Sequence, residues 1–295
     1  SLSAGVLAAG GTLSVLLLPS LILLFYGIVT DQSIGDLFIA GVIPGLILVT
    51  FFSVVVMLWG VLHPEDIPEQ EQAIRMGLFH IAATVGPIAL IGLVITVAIY
   101  AGIATPTEAA AVAALLTVIL AFGVGGLRFA GFRAALFSTM RTMGYLGLLL
   151  SAGTLFGFVL TYYRVPYEFT QLFMSFELSP YVVLTIVLIF YIVLGMFLEP
   201  VSMTFITLPT IFPLMAAAGF DLIWFGVVYT IMMEIAVLTP PVGLNLYVIQ
   251  GISRGQVSIG EVIRGCLPFI AALIALVFIL ILFPRTALWL PEQMK

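Results

Sequence analysis

Charge is what this chain has least of. Nine Lys or Arg and 14 Asp or Glu make up 8% of its 295 residues, against roughly 25% in a soluble domain. So few charges cannot cover a water-exposed surface. The basic residues form no stripe that could follow a phosphate backbone, so no nucleic-acid partner is expected. The single cysteine, Cys266, excludes an internal disulfide and reads as a packing residue. The two histidines, His63 and His80, have no His or Cys cluster around them, which argues against a metal centre of the zinc type. They bracket a polar segment, 63–80, that reads as a loop plus an interfacial helix. No HExxH motif, Ser/His/Asp set or paired intramembrane aspartates occur, so no enzyme activity is expected. The chain opens on "SLSAGVLAAGG" without an initiator Met or a charged n-region. That is not a signal peptide, and it reads as a sequence entered partway through a helix.

What is present is apolar. Hydrophobic residues make up 63% of the chain and the mean hydropathy is +1.30, which fixes the class as an all-α polytopic membrane protein. Stretches long enough to cross a bilayer lie near 2–28, 37–62, 81–103, 107–124, 142–161, 222–250 and 266–289. The stretch 181–218 differs: two apolar arms flank "LEPVS" (Leu198 to Ser202), and Pro209 and Pro213 lie in the second arm. It suits a re-entrant hairpin, whose irregular tip is tolerated at membrane depth only inside protein or along a cavity. Two full spans are the competing reading. Arg75, Arg128, Arg133, Arg141, Arg254 and Arg264 fall in loops on one side. Arg164, Arg285 and Lys295 fall on the other, so the positive-inside rule puts the first set in the cytoplasm. Arg164, with Glu168 and Glu177, then marks an exposed outer segment suited to docking a partner. An interfacial anchor is the alternative.

The chain also echoes itself. "TDQSIGDLFIAGVIPG" (Thr30 to Gly45) matches "SRGQVSIGEVIRGCLPF" (Ser253 to Phe269), and each follows a proline-broken apolar run. With the orientation above, the two copies run in opposite directions, as in transporters built from inverted repeats. Residues 1–62 then form the end of a first repeat. Residues 63–295 form a second, with the hairpin near 181–218 and a broken helix near 222–250. The rest of a first copy, including a matching hairpin, is expected upstream of Ser1.

The second broken run reads "LTPPVGLNLYV" and holds the only asparagine, Asn245. Proline removes a main-chain donor and frees the carbonyl four residues back. In lipid such a group needs a partner, and half-helix ends with free carbonyls suit a small cation. Thr239 adds a hydroxyl, Gly243 close backbone approach and Asn245 an amide, a set suited to Na⁺. A kink used only for packing is the competing reading. Glu199 at the hairpin tip is a candidate because an intramembrane carboxylate is costly; a shallow, solvated tip would leave it without a role. Glu234 carries a proton or cation, or braces the broken helix by hydrogen bonds, and bracing is favoured. "GIATPTEAAAV" reads as structural: Thr105 as N-cap, Pro106 at N1 and Glu108 at N3 form a capping box.

Together, "GGTLSVLLLPS", "SIGDLFIAGVIPG", "GIATPTEAAAVAA", "GMFLEPVSMTFITLPTIFP", "LTPPVGLNLYV" and "FPRTALWLP" resemble the large membrane subunit of tripartite ATP-independent periplasmic (TRAP) transporters, over essentially the whole chain. The resemblance implies an elevator-type, Na⁺-coupled importer of organic anions, such as C4-dicarboxylates or sialic acid, in a bacterial inner membrane. Its partners would be a small four-helix membrane subunit and a periplasmic substrate-binding protein. It implies one Na⁺ site at Glu199, Thr239, Pro240, Gly243 and Asn245, and part of another at Gly11 and Thr12. Pro19, Ser20, Ser202 and Thr204 would face substrate. The chain departs from the family pattern at Ser14 and Leu18, and carries Glu199 where the hairpin acid is usually Asp. A stand-alone Na⁺/dicarboxylate symporter of similar fold is the alternative.

Overall fold

The computed structural model describes residues 2–16, 20–63, 78–240, 243–253 and 257–294, except that the side chains of 2–4, 12, 14, 15, 78–84 and 244 are not described. Among these residues there are thirteen helices. Five are long and apolar enough to cross a membrane: Ile34–Leu62, Pro106–Gly123, Phe129–Tyr162, Pro200–Ala217 and Ile259–Leu282. The chain divides into two compact units, one of residues 1–67 with 153–295 and one of residues 68–152.

The larger unit contains both broken runs. The first is α1 (Leu2–Leu16) and α2 (Leu21–Thr30), and the second is α10 (Leu222–Leu238) and α11 (Leu244–Ile252). Each run expected to be broken is thus two helices, and α10 ends at Leu238, just before Thr239 and Pro240. α3 (Ile34–Leu62) and α12 (Ile259–Leu282) follow them. The repeated "SIG" motif turns out to be the start of both: the Ser33 hydroxyl accepts from Asp36 N at 3.2 Å, and Ser258 forms a full capping box with Glu261.

The packing repeats with the sequence. α1 lies on α12 and α10 on α3; α1 touches α3 and α10 touches α12; α2 touches α10 and α11 touches α1. Among these six helices, exchanging α1 with α10, α2 with α11 and α3 with α12 returns the same set of contacts. Two apolar helices meet closely only where side chains are small, and a methyl group on Gly5 in α1 would overlap the backbone of Gly265 in α12.

The expected hairpin is α8 (Pro180–Gly195) and α9 (Pro200–Ala217), joined by a turn at 196–199. Buried polar groups pin it in place. The Tyr191 hydroxyl bonds Thr207 at 3.0 Å across the two arms, and the Thr204 hydroxyl bonds Tyr229 of α10 at 2.7 Å. Tyr26 of α2 packs on Tyr229 at 5.7 Å and donates to the Leu222 carbonyl at 2.7 Å. Buried hydroxyls are thereby satisfied, which unpaired would cost ~1–3 kcal/mol each.

In the smaller unit α4 (Leu78–Tyr100) packs on α5 (Pro106–Gly123). The capping box at Thr105 is present as expected: Thr105 N donates to Glu108 Oε2 at 2.8 Å and Glu108 N to Thr105 Oγ1 at 3.4 Å. Two expectations need correction. α6 runs from Phe129 to Tyr162, so Arg133 and Arg141 lie on a 34-residue helix, not in a loop. A bilayer needs only about 20 residues, so a helix of this length has turns to spare for the charged residues. The span expected at 266–289 ends at Leu282, and α13 (Arg285–Gln293) follows Pro284 as a separate short helix. The polar segment at 64–77 and His80 lie outside the described residues and side chains; His63 stacks on Trp59 at 4.5 Å.

Candidate functional site

Four helix ends converge on one cavity of about 300 Å³, lined by Gly195, Met196, Phe197, Leu198, Glu199, Ser202, Val237 and Gly243. The chain reaches it at the C-terminal ends of α8 and α10 and at the N-terminal ends of α9 and α11.

Glu199 is the N-cap of α9. Its Oε1 accepts from Ser202 N and Ser202 Oγ, each at 2.8 Å, and its Oε2 accepts from Val201 N at 3.0 Å. The sequence puts it there: Glu-Pro places an acceptor at the cap and proline at the first helical position, where its missing N–H costs nothing.

The break beyond α10 is built the same way. Pro240 cannot donate to Ala236 O, and Thr239 N takes that carbonyl instead at 3.2 Å. The Thr239 hydroxyl donates to Ile235 O at 2.6 Å. The residue after Pro240 in the sequence, Pro241, likewise carries no main-chain N–H. Gly243 then caps α11 with φ +20 and ψ 86. A Cβ there would lie 2.8 Å from Leu246 Cδ1 and 3.0 Å from the Thr239 carbonyl oxygen, so only glycine fits.

Helix ends carry roughly half an elementary charge each, negative at the C-terminus and positive at the N-terminus. Two of each nearly offset one another, and Glu199 is the acidic side chain among the residues that line the cavity.

The expected residues divide as follows. Glu199, Ser202 and Gly243 share the cavity; Thr239 is at the end of α10 and Asn245 in the first turn of α11, both half-buried. Among the described residues the Asn245 amide has no hydrogen-bond partner. Thr204 is fully buried and engaged with Tyr229 and Pro200 O, and is not among the residues lining the cavity. Ser20 is the buried N-cap of α2, accepting from Leu23 N at 3.2 Å. Gly11 is exposed on α1, Pro19 lies outside the described residues, and so does the side chain of Thr12. Glu234 is 1% exposed, and among the described residues neither carboxylate oxygen has a hydrogen-bond partner, so among them it does not brace the broken helix by hydrogen bonds. Sequence reading missed Val237 and Gly195, apolar residues whose part in the site comes only from where their helices end.

The family model described as tripartite ATP-independent periplasmic transporter, DctM component, matches residues 1–286. The chain is 34% identical over 294 residues to the C4-dicarboxylate TRAP transporter large permease protein DctM of Pseudomonas aeruginosa, covering 98% of this chain and 67% of that protein. It is 31% identical over 294 residues to the sialic acid TRAP transporter large permease protein SiaM of Vibrio cholerae, with 98% and 67% covered. To the ectoine TRAP transporter large permease protein TeaC of Halomonas elongata it is 29% identical over 301 residues, with 99% and 68% covered. It thus spans about two thirds of the length of these relatives.

Proposed function

The chain belongs to the DctM-component family of tripartite ATP-independent periplasmic transporters, and from that premise we propose that it is the transport subunit of a Na⁺-coupled, binding-protein-dependent importer of organic carboxylates. It is a multi-pass membrane transporter component and not an enzyme.

The observation that carries the Na⁺ reading is the convergence of four helix ends on Glu199. The Glu199 carboxylate, the Thr239 hydroxyl, the Asn245 amide and the carbonyls near Val237 and Thr239 are the groups that would hold the ion. They are oxygen ligands with about one net negative charge, which suits Na⁺. Bound there, Na⁺ would bridge the hairpin turn to the broken helix and so couple the two elements. The free N-terminal end of α11 faces the same cavity and favours a carboxylate. C4-dicarboxylates, sialic acid and ectoine, the compounds in the relatives' names, all carry one. Ser202 would meet the substrate from the side of α9.

The hairpin α8–α9 would be re-entrant and, with the two broken helices, would form the moving part of an elevator. The exchange symmetry of α1–α3 with α10–α12 supports an inverted repeat. The partners would be a small membrane subunit and a periplasmic binding protein, in a bacterial inner membrane. The test is uptake of C4-dicarboxylate, sialic acid and ectoine into liposomes holding the full-length transporter, with and without an inward Na⁺ gradient and the binding protein. Uptake indifferent to Na⁺ would end the coupling reading.

A further inference from the structure

The groove between the last turns of α6, the hairpin α8–α9 and α7 (Val165–Ser175) has no part in the site above. It measures about 340 Å³, and Phe156, Leu160, Phe169, Phe173, Phe190 and Ile206 supply much of its wall. Of its two hydroxyl residues, Thr207 already bonds Met203 O and Tyr191. The groove opens to the surroundings, for Phe156, Phe190 and Ile206 are 42%, 40% and 43% exposed. In a polytopic membrane protein, lipid is the solvent that an open apolar groove meets.

One end of the groove is marked by a different chemistry. Leu160, in its wall, lies one helical turn before Arg164, the corner where α6 gives way to α7. Around the corner stand Tyr162, Tyr163 and Tyr167, all strongly exposed. Exposed tyrosines next to an apolar surface mark the headgroup level of a bilayer. Arg164 has φ 57, and among the described residues no group pairs with its guanidinium. α7 itself turns Phe169 and Phe173, with ring centroids 4.7 Å apart, to the groove.

We propose that the groove holds an acyl chain of an anionic phospholipid whose phosphate pairs with Arg164. The apolar wall accepts any acyl chain; Arg164 favours a headgroup of net negative charge, because its guanidinium binds phosphate oxygens in bidentate fashion and in phosphatidylglycerol no headgroup amine offsets that phosphate. A lipid so seated lies along both hairpin arms, and it gives Arg164 a role other than docking a periplasmic protein.

The test uses the purified full-length permease in mild detergent, titrated with phosphatidylglycerol or phosphatidylcholine while melting temperature is followed. Phosphatidylglycerol should stabilise at about tenfold lower concentration, the equivalent of ~1.4 kcal/mol for one charge-assisted contact. Arg164→Gln should erase that preference and Arg164→Lys should keep part of it. Thr210→Phe, which fills the groove, should remove stabilisation by both lipids; Ile206→Trp is the substitute if that variant does not fold. An unchanged preference in Arg164→Gln, or full lipid stabilisation in a folded groove-filling variant, overturns the proposal. Loss of binding-protein-dependent uptake in Arg164→Gln with the lipid preference intact would assign Arg164 to protein docking instead.

Discussion

Gly243→Ala puts the break in the α10–α11 segment to its most direct test. The alanine Cβ would meet two different obstacles. Leu246 Cδ1, at 2.8 Å, ends a side chain that can turn away. The Thr239 carbonyl oxygen, at 3.0 Å, is main chain at the end of α10 and can yield only if the break itself changes shape. The positive φ adds roughly 1–2 kcal/mol for any L residue, and overpacking typically adds about 1–3 kcal/mol. A folded protein escapes this strain of roughly 2–5 kcal/mol by abandoning the backbone that presents the Thr239 and Val237 carbonyls. Even partial escape, at ~1.4 kcal/mol per decade, should raise the Na⁺ concentration needed for a given stabilisation at least about tenfold. The assay is Na⁺-dependent melting of the purified transporter, because a ligand that binds only the folded state stabilises it by mass action. Gly251→Ala is the control, since nothing lies within 4 Å of its added methyl. A folded Gly243→Ala protein with wild-type Na⁺ dependence would refute the claim that this backbone shape serves the ion.

Three further outcomes are expected. Glu199→Gln turns one acceptor into a donor and removes the charge, so it should lower melting temperature by the cost of a cap, about 0.5–2 kcal/mol, and also raise the Na⁺ requirement; an unchanged requirement would make Glu199 a cap only. Thr105→Ala breaks the exposed capping box of α5 and should cost a similar amount of stability, with Na⁺ dependence untouched; a selective loss of Na⁺-driven uptake would contradict the structural reading. Glu234→Met removes a buried carboxylate that makes no hydrogen bond among the described residues, so melting temperature should hold or rise while uptake falls. A clear loss of stability would reveal a structural partner for that carboxylate.

Much of the fold was legible because membrane depth makes polar backbone expensive. Where "LTPPVGLN" removes donors inside an apolar run, the helix must stop, and α10 stops at Leu238. The hairpin bounds agree with the apolar arms around "LEPVS" because nothing else can end them there. The start of α6 was hidden: Arg133 and Arg141 read as loop, yet a helix can carry them beyond the membrane. α7 does carry a readable signal, Val-Pro at its start and Phe169 and Phe173 one turn apart. The site itself was only half legible. Glu199 and Gly243 announce themselves by charge and by conformational need, whereas Gly195 and Val237 carry no chemical signal and join the site through tertiary packing. The "SIG" repeat was seen as an echo, although Ser followed by an acid three residues later is itself a helix-start signature.

On the proposed function, the cavity at the four helix ends holds Na⁺. Equilibrium binding of radioactive ²²Na⁺ to the purified full-length transporter tests it most directly. The wild type should bind the ion saturably. The double variant Glu199→Gln/Asn245→Leu, correctly folded, should lose one component of that binding. Undiminished ²²Na⁺ binding by the folded double variant, with the same affinity, would contradict the account and leave the broken helix as a packing device.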